Sequence, residues 1–270
     1  MDESKVKTLR LGLVGKDVSK SLSEEMHTFI LGELGVKCEY ERFSVSKTDF
    51  DGAMVRLMGD FDGFNVTIPY KKDVFEYLYE IDADASACSS VNTVLCDTKT
   101  GYNTDGEGFL LMLRTAGVEV QGKKVLVLGV GGSGSSSALA LQHAGATVYA
   151  YRRNKAELLE ICQRLGVTPV DDAESGGYDI LVNCTGVGMH DTEGKSPVEE
   201  RAFRGAAWAV DLIYTPEKSR FLELGESAGA KILNGKSMLF YQAYFADCLY
   251  LKRTASVDEA KHLYAQYLEK

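Results

Sequence analysis

The chain has 270 residues, 45% hydrophobic and 26% charged, with a formal net charge of −9 at pH 7. That size allows one large globular domain or two modest ones, each with a proper core, and the negative balance gives no electrostatic basis for nucleic acid or an anionic membrane surface as partner. No apolar run approaches the roughly 20 residues of a membrane-spanning helix, and the first residues, MDESK, lack the basic start and apolar stretch of a secretory leader, so neither is expected.

In chain order, residues 8–14 (TLRLGLV) read as a short apolar strand ending at Gly15. Over 22–34, Leu22, Met26, Phe29, Ile30 and Leu34 recur at helical spacing. Residues 37–45 alternate as a strand and 47–58 read as a helix. A further strand over 61–66 is closed by Pro69, with 70–79 helical after it. This alternation predicts a mostly parallel sheet. A small-residue stretch at 83–87 leads to a strand over 90–94, and a helix over 106–117 carries the chain into a second unit. There the pattern restarts: strand 125–128, helix 135–144, strand 147–151, helix 155–165, then buried strands at 179–183 and 208–212. No internal repeat or low-complexity linker is visible.

Near the end, 237–251 reads as a helix whose apolar face carries Met238, Leu239, Phe245 and Leu249. Gln242 lies on that face, where an amide must find a partner or cost about 1–3 kcal/mol. The partner is either a buried backbone group or a ligand. The six cysteines (Cys38, Cys88, Cys96, Cys162, Cys184, Cys248) form no C-x-x-C pair and stand at no metal-ligand spacing with histidine. They are expected to be buried free thiols of a reducing cytoplasm, and no metal site is predicted.

Gly129, Gly131 and Gly134 fit G-x-G-x-x-G, between the strand KVLVL and an Ala/Leu-rich helix. In that setting the first glycine permits the tight turn, the second lets the backbone approach a pyrophosphate, and the third lets helix and strand pack closely. An NAD site places an acid at the end of the next strand, for the ribose hydroxyl. Here TVYAY is followed by Arg152 and Arg153, with no acid until Glu157. Paired guanidinium groups favour a 2′-phosphate, hence NADP, with NAD as the lesser possibility.

Upstream lie two dense polar segments, 63–71 (GFNVTIPYK) and 101–106 (GYNTDG), which supply Lys71, Asp105 and several amides and hydroxyls. A lysine and an aspartate accompanying a nucleotide site suggest proton transfer coupled to hydride transfer, as in a small-alcohol dehydrogenase.

These segments resemble the shikimate dehydrogenase family, and the resemblance runs over nearly the whole chain. It is carried by NVTIPYK at 65–71, SVNT at 90–93, NTDG at 103–106, NCTGVGM at 183–189, DLIYTP at 211–216, and GKSML at 235–239 followed by Gln242. The ordered set is far more specific than any one motif. It implies an α/β protein of two domains with a cleft between them: a mixed α/β substrate domain (1–105 plus 237–270) and a Rossmann-like nucleotide domain (106–236). The implied activity is reversible reduction of 3-dehydroshikimate to shikimate with NADPH, by a cytoplasmic monomer or homodimer. By family role Lys71 is the proton donor and acceptor, with Asp105 as its partner. Ser21, Ser23, Asn65, Thr67, Asn92, Tyr214 and Gln242 match the substrate-binding positions. Gly129, Val130, Gly131, Gly132, Ser133, Gly134, Arg152, Arg153, Thr185, Leu212 and Gly235 match the cofactor-binding ones.

Ser21-Leu22-Ser23-Glu24 also fits the capping box S-x-x-E, and a helix N-terminus favours an anion in any case. The chain departs from the family pattern in carrying Glu24 and Asp17 where proline is usual. It also has Tyr151 and Arg153 in the cofactor-selecting segment, Lys236 at a usually apolar position, and no tryptophan near Asp247-Cys248. The rivals are accordingly a quinate/shikimate dehydrogenase using NAD or NADP, and a ligand sensor that has lost its chemistry. The sensor reading is weakened by the presence of both Lys71 and Asp105.

Overall fold

The structure, a computed structural model, describes residues 8–270, so the MDESK segment lies outside it. The chain divides into two compact units, Met1–Thr104 with Phe240–Lys270, and Asp105–Leu239.

The first unit opens β1 (Leu9–Gly15), α1 (Ser23–Glu33), β2 (Cys38–Ser44), α2 (Phe50–Asp60) and β3 (Gly63–Val66). It continues with β4 (Glu80–Ile81), α3 (Ala83–Cys88), β5 (Thr93–Leu95) and β6 (Thr100–Tyr102). Its sheet has the order β2-β1-β3-β5-β6-β4. The β1 pairings with β2 and β3 are parallel, whereas β5 runs antiparallel to both β3 and β6. Since β4 and β6 also pair in parallel, three of the five strand pairs are parallel, so the sheet is mostly parallel as expected but mixed at β5. Chain reversal at 93–102 needs only a short connection, and antiparallel neighbours are what such connections allow.

Residues 70–79 hold one 3-10 turn (Asp73–Tyr77) instead of the expected helix. Tyr70 is buried at its start, stacked on Phe50 with ring centroids 4.3 Å apart, and donates its hydroxyl to the Val45 carbonyl at 2.8 Å. That anchor binds the loop to the sheet core of Met54, Leu57, Phe64 and Val66.

The second unit runs α4 (Asp105–Thr115), β7 (Lys124–Leu128), α5 (Gly132–His143), β8 (Thr147–Tyr151), α6 (Lys155–Leu165) and β9 (Thr168–Pro169). Then come β10 (Ile180–Asn183), β11 (Trp208–Asp211), α7 (Arg220–Ser227) and β12 (Lys231–Asn234). All its strand pairs are parallel, in the order β12-β11-β10-β7-β8-β9. Read from the far edge, this is the doubly wound 3-2-1-4-5-6 order, whose direction reverses between β7 and β10. Val125–Leu128 and Ile180–Val182 are wholly or almost wholly buried, as expected of parallel strands covered on both faces. The unit division falls inside α8 (Lys236–Tyr250), and α9 (Val257–Leu268) closes the chain.

Candidate active site

In the first unit the candidate substrate groups form one hydrogen-bonded set. Asn65 leaves the end of β3, is 5% exposed, and donates from Nδ2 to the Asn92 carbonyl and to Thr93 Oγ1, each at 3.3 Å. Thr93 Oγ1 donates to Asn92 Oδ1 at 2.9 Å, and the Thr104 backbone N–H reaches the same oxygen at 2.9 Å. Asn92 Nδ2 in turn donates to Thr104 Oγ1 at 3.0 Å and to Gln242 Oε1 at 3.4 Å. The Gln242 amide thus meets a side chain that is itself a candidate ligand. Thr67 follows β3, its N–H bonded to the Val14 carbonyl at 2.9 Å, and Lys71 lies half-buried just past the Tyr70 anchor, its carbonyl accepting from Val91 N–H at 2.8 Å.

Ser21 and Ser23 meet directly. Ser21 Oγ donates to Ser23 Oγ at 3.0 Å and accepts from the Ser23 N–H at 3.2 Å. The capping box expected here is not formed. Leu22 is the residue at the cap, α1 has no side-chain cap, and Glu24 is drawn instead to Arg42 at 2.9 Å. The serine hydroxyls are consequently not spent on the helix end.

Three groups absent from the sequence-derived set reach this network. The Tyr40 hydroxyl donates to Asn65 Oδ1 at 2.9 Å, and the Ser23 hydroxyl lies beside it. Its ring stacks on His27, centroids 4.9 Å apart and 16° between planes. His27 Nδ1 lies 2.6 Å from Asp247 Oδ1, both side chains fully buried, while His27 Nε2 and Asp247 Oδ2 have no hydrogen-bond partner. Burial pushes the Asp247 carboxyl up, against the opposing pull of His27, and burial above all pushes Tyr40 well up, so the phenol stays protonated. Two sequence signals were available. His27 stands one helical turn after Ser23, and Asp247 is a lone carboxylate among Ala246, Cys248 and the apolar face of α8.

In the second unit the glycine loop joins β7 to α5, which begins at Gly132, three residues before the expected start. Gly129 has φ +86°, and a Cβ at Gly134 would stand 1.9 Å from the Gly129 carbonyl oxygen. At Gly131 a Cβ would project into open space, so the backbone there is accessible to a ligand. Thr185 closes on the loop, its N–H and hydroxyl both donating to Asn183 Oδ1, at 3.0 and 2.6 Å. Gly235 abuts Leu212, whose carbonyl oxygen would lie 2.2 Å from a Cβ. Arg152 donates to the Val130 carbonyl at 3.2 Å and forms an ion pair with Glu157, whereas Arg153 is exposed. Ser133 Oγ donates to Asp105 Oδ2 at 2.9 Å, so a loop serine touches the candidate catalytic carboxylate, which heads α4 and is 5% exposed. Tyr214, 37% exposed, lies beyond β11. Val130 is buried, and Gly132 opens α5.

The residues present fit a dinucleotide: an unobstructed glycine backbone at a helix start, at the topological switch of a doubly wound sheet, with an arginine after β8. Fold and side chains together define a nicotinamide-nucleotide-dependent oxidoreductase. Residues 13–94 match the shikimate dehydrogenase substrate binding domain family. The chain is 34% identical over 247 residues to shikimate dehydrogenase (NADP(+)) of Shouchella clausii, covering 87% of this chain and 90% of that protein. It is 36% identical over 253 residues to that of Carboxydothermus hydrogenoformans, covering 87% and 89%. The shikimate 5-dehydrogenase of Thermus thermophilus, solved in complex with NADP(H) and shikimate, superimposes with a TM-score of 0.86 at 31% identity, covering 96% of this chain and 99% of that one. This chain belongs to the shikimate dehydrogenase family.

Proposed function

We propose that the chain is an NADP-dependent shikimate dehydrogenase, reversibly reducing 3-dehydroshikimate to shikimate in aromatic biosynthesis. The observation that carries this reading is the single hydrogen-bonded set of Tyr40, Asn65, Thr93, Asn92 and Gln242, drawn from separate elements of the first unit, with the Ser21–Ser23 pair beside Tyr40. Amides and hydroxyls in that number suit a small polyhydroxy acid.

Ser21 and Ser23 hold the substrate carboxylate by donating both hydroxyls, and Asn65, Thr67, Asn92, Tyr214 and Gln242 bind its remaining oxygens. A carbonyl under reduction gathers negative charge on oxygen. The Lys71 ammonium stabilises that charge and then donates its proton there, while Asp105 orients the ammonium. In the reverse direction neutral Lys71 takes the hydroxyl proton. Bound NADP(H) supplies the hydride acceptor or donor. The residues that would hold it are Gly129 to Gly134 through backbone N–H groups, Arg152 and Arg153 at the 2′-phosphate, and Thr185, Leu212 and Gly235 alongside.

We place the enzyme in the cytoplasm, as a monomer or homodimer with a small-molecule substrate. All six cysteines are free, and no helix among the described residues is long and apolar enough to cross a membrane. The test is initial rates at 340 nm for shikimate and quinate, each with NADP⁺ and NAD⁺. Shikimate with NADP⁺ is expected to dominate. Comparable quinate or NAD⁺ turnover would move the enzyme to the quinate/shikimate class, and no turnover in any pairing would overturn the enzymatic reading.

A further inference from the structure

Among the candidate ligands of the first unit, one series of hydrogen bonds runs in a single direction from Tyr40. Ser21 donates to Ser23, and Tyr40 donates to Asn65 Oδ1. The single phenolic hydrogen is committed to Asn65, so toward any other partner the Tyr40 oxygen can only accept. Asn65 Nδ2 then donates to Thr93, Thr93 to Asn92, and Asn92 to Gln242. Tyr40 touches the amide series at Asn65 and stands beside Ser23.

We propose that Tyr40 is a positioning residue for substrate binding, pinning the Asn65 amide in one orientation, and that the buried His27–Asp247 pair is the brace that holds it. The argument rests on the reading of Asn65 and Ser23 as substrate ligands. An asparagine amide presents an acceptor on one side and a donor on the other, so a flip reverses what a substrate oxygen meets. Nδ2 alone fixes it weakly, through two 3.3 Å contacts. The 2.9 Å bond from Tyr40 breaks the symmetry, since a flipped amide would turn its NH₂ toward a phenol whose hydrogen points at it.

When a carboxylate draws the hydrogens of both serines, Tyr40 keeps its own donor on Asn65. The amide therefore stays set while the serines reorient. The phenol ring has few alternatives: it lies flat on His27, and His27 is fixed by its 2.6 Å contact with Asp247 on α8, the helix that also presents Gln242. A brace is consistent with the one-sided bonding of that pair, whose outer atoms have no hydrogen-bond partner and whose imidazole has the Tyr250 ring 6.3 Å away.

The experiment compares Tyr40→Phe and Asn65→Ala with the unaltered enzyme, reading KM and kcat for shikimate, KM for NADP⁺, and the melting temperature. Removing the phenol hydroxyl orphans a buried acceptor and frees the amide, so Tyr40→Phe is expected to raise shikimate KM about tenfold. Its kcat should fall less than about threefold and its KM for NADP⁺ should stay put, the split expected for lost substrate binding. A shikimate KM within about twofold of the unaltered value, while Asn65→Ala raises it, would overturn the tether and leave the substrate assignment standing. Parallel rises in both KM values would mark a general loosening and overturn it as well. If Asn65→Ala leaves shikimate KM unchanged, the substrate assignment itself fails and the tether falls with it. Should Tyr40→Phe not fold, Asp247→Asn loosens the brace with the phenol in place. A rise of about threefold in shikimate KM is then expected, and no rise overturns the proposal.

Discussion

The two units prepare ligand-binding groups by opposite means. In the first, the groups are side chains, and other side chains set them: Tyr40 and Thr93 on Asn65, Thr104 and Gln242 on Asn92. In the second, the glycine loop offers backbone, and its shape follows from side chains that are missing, above all at Gly134. The first arrangement is sensitive to the loss of a polar atom at constant shape. The second is sensitive to one added methyl group at constant polarity. Chemistry at a substrate needs groups of differing pKa and directionality, whereas a phosphate needs only N–H groups close at hand, so each means suits its task.

The largest expected effect tests the side-chain arrangement at its reactive member. Lys71→Ala is expected to cut turnover by roughly 10²–10⁴, the range for removing a general acid–base group. Because Lys71 lies past an anchor made by Tyr70, the fold should survive the change. Steady-state rates beside a melting curve decide it: near-native turnover in a folded variant would remove Lys71 from the chemistry.

Gly134→Ala tests the backbone arrangement. The added Cβ would fall 1.9 Å from the Gly129 carbonyl oxygen, so the loop or α5 has to move. Overpacking of this kind costs about 1–3 kcal/mol, and spent on the loop it weakens NADPH binding roughly 10- to 100-fold. Fluorescence titration with NADPH, with shikimate KM as the control, reads the result. Unchanged NADPH affinity would show that the loop does not depend on an absent side chain.

The same division decides what could be read from the sequence. Strands such as β7 and β8 and the glycine loop were legible because a local pattern fixes them: KVLVL is buried on both faces, and the glycines follow at once. The two-residue strands β4 and β9 carry no periodicity to read. The pattern S-x-x-E occurs three times, at Ser21, Ser196 and Ser256, and spacing alone does not say which copy caps a helix. At Ser256 the hydroxyl does accept from the Glu259 N–H, at 3.4 Å, and caps α9. At Ser21 the same spacing makes no cap, since the hydroxyl is engaged with Ser23 and the acid with Arg42. The family resemblance named Asn65 and Asn92, but neither motif nor spacing joined His27 to Asp247, 220 residues apart. A brace of that kind exists only once the sheet and α8 have brought its ends together.

Asp211 sharpens the contrast, as a side-chain network inside the nucleotide unit. It accepts from Ser219 Oγ at 2.5 Å, the Ile213 N–H at 3.0 Å and Asn183 Nδ2 at 3.0 Å, and Asn183 in turn sets Thr185. Burial nevertheless dominates these donors and raises its carboxyl from 3.8 to about 6. A folded-state value above the unfolded one means that the folded protein holds the proton more tightly. The resulting stability is present in full below about pH 3.8 and is lost as pH rises through about 6. Asp211→Asn should flatten the stability profile across that window, removing a decline of up to roughly 3 kcal/mol. Denaturant unfolding at pH 4 and pH 7 measures it, and an undiminished decline in the variant would discount the carboxylate as its source.

The smallest expected effect lies where a side chain does act in the nucleotide unit. Arg152, assigned to the 2′-phosphate, is held by the Val130 carbonyl and the Glu157 carboxylate. Glu157 both aims the guanidinium and neutralises part of its field. The pair is partly exposed, 33% and 48%, so water screens it and the coupling is worth about 0.2–1 kcal/mol. Neutralisation outweighs aiming, because the Val130 bond already fixes the arginine. Glu157→Gln should therefore tighten NADPH by about two- to fivefold at low salt, converging with the unaltered enzyme as ionic strength rises. Arg152→Ala should weaken NADPH more than NADH. Equal losses on the two cofactors would detach Arg152 from the 2′-phosphate, and a weaker NADPH affinity in Glu157→Gln would show that aiming, set side chain by side chain as in the first unit, governs this corner of the second.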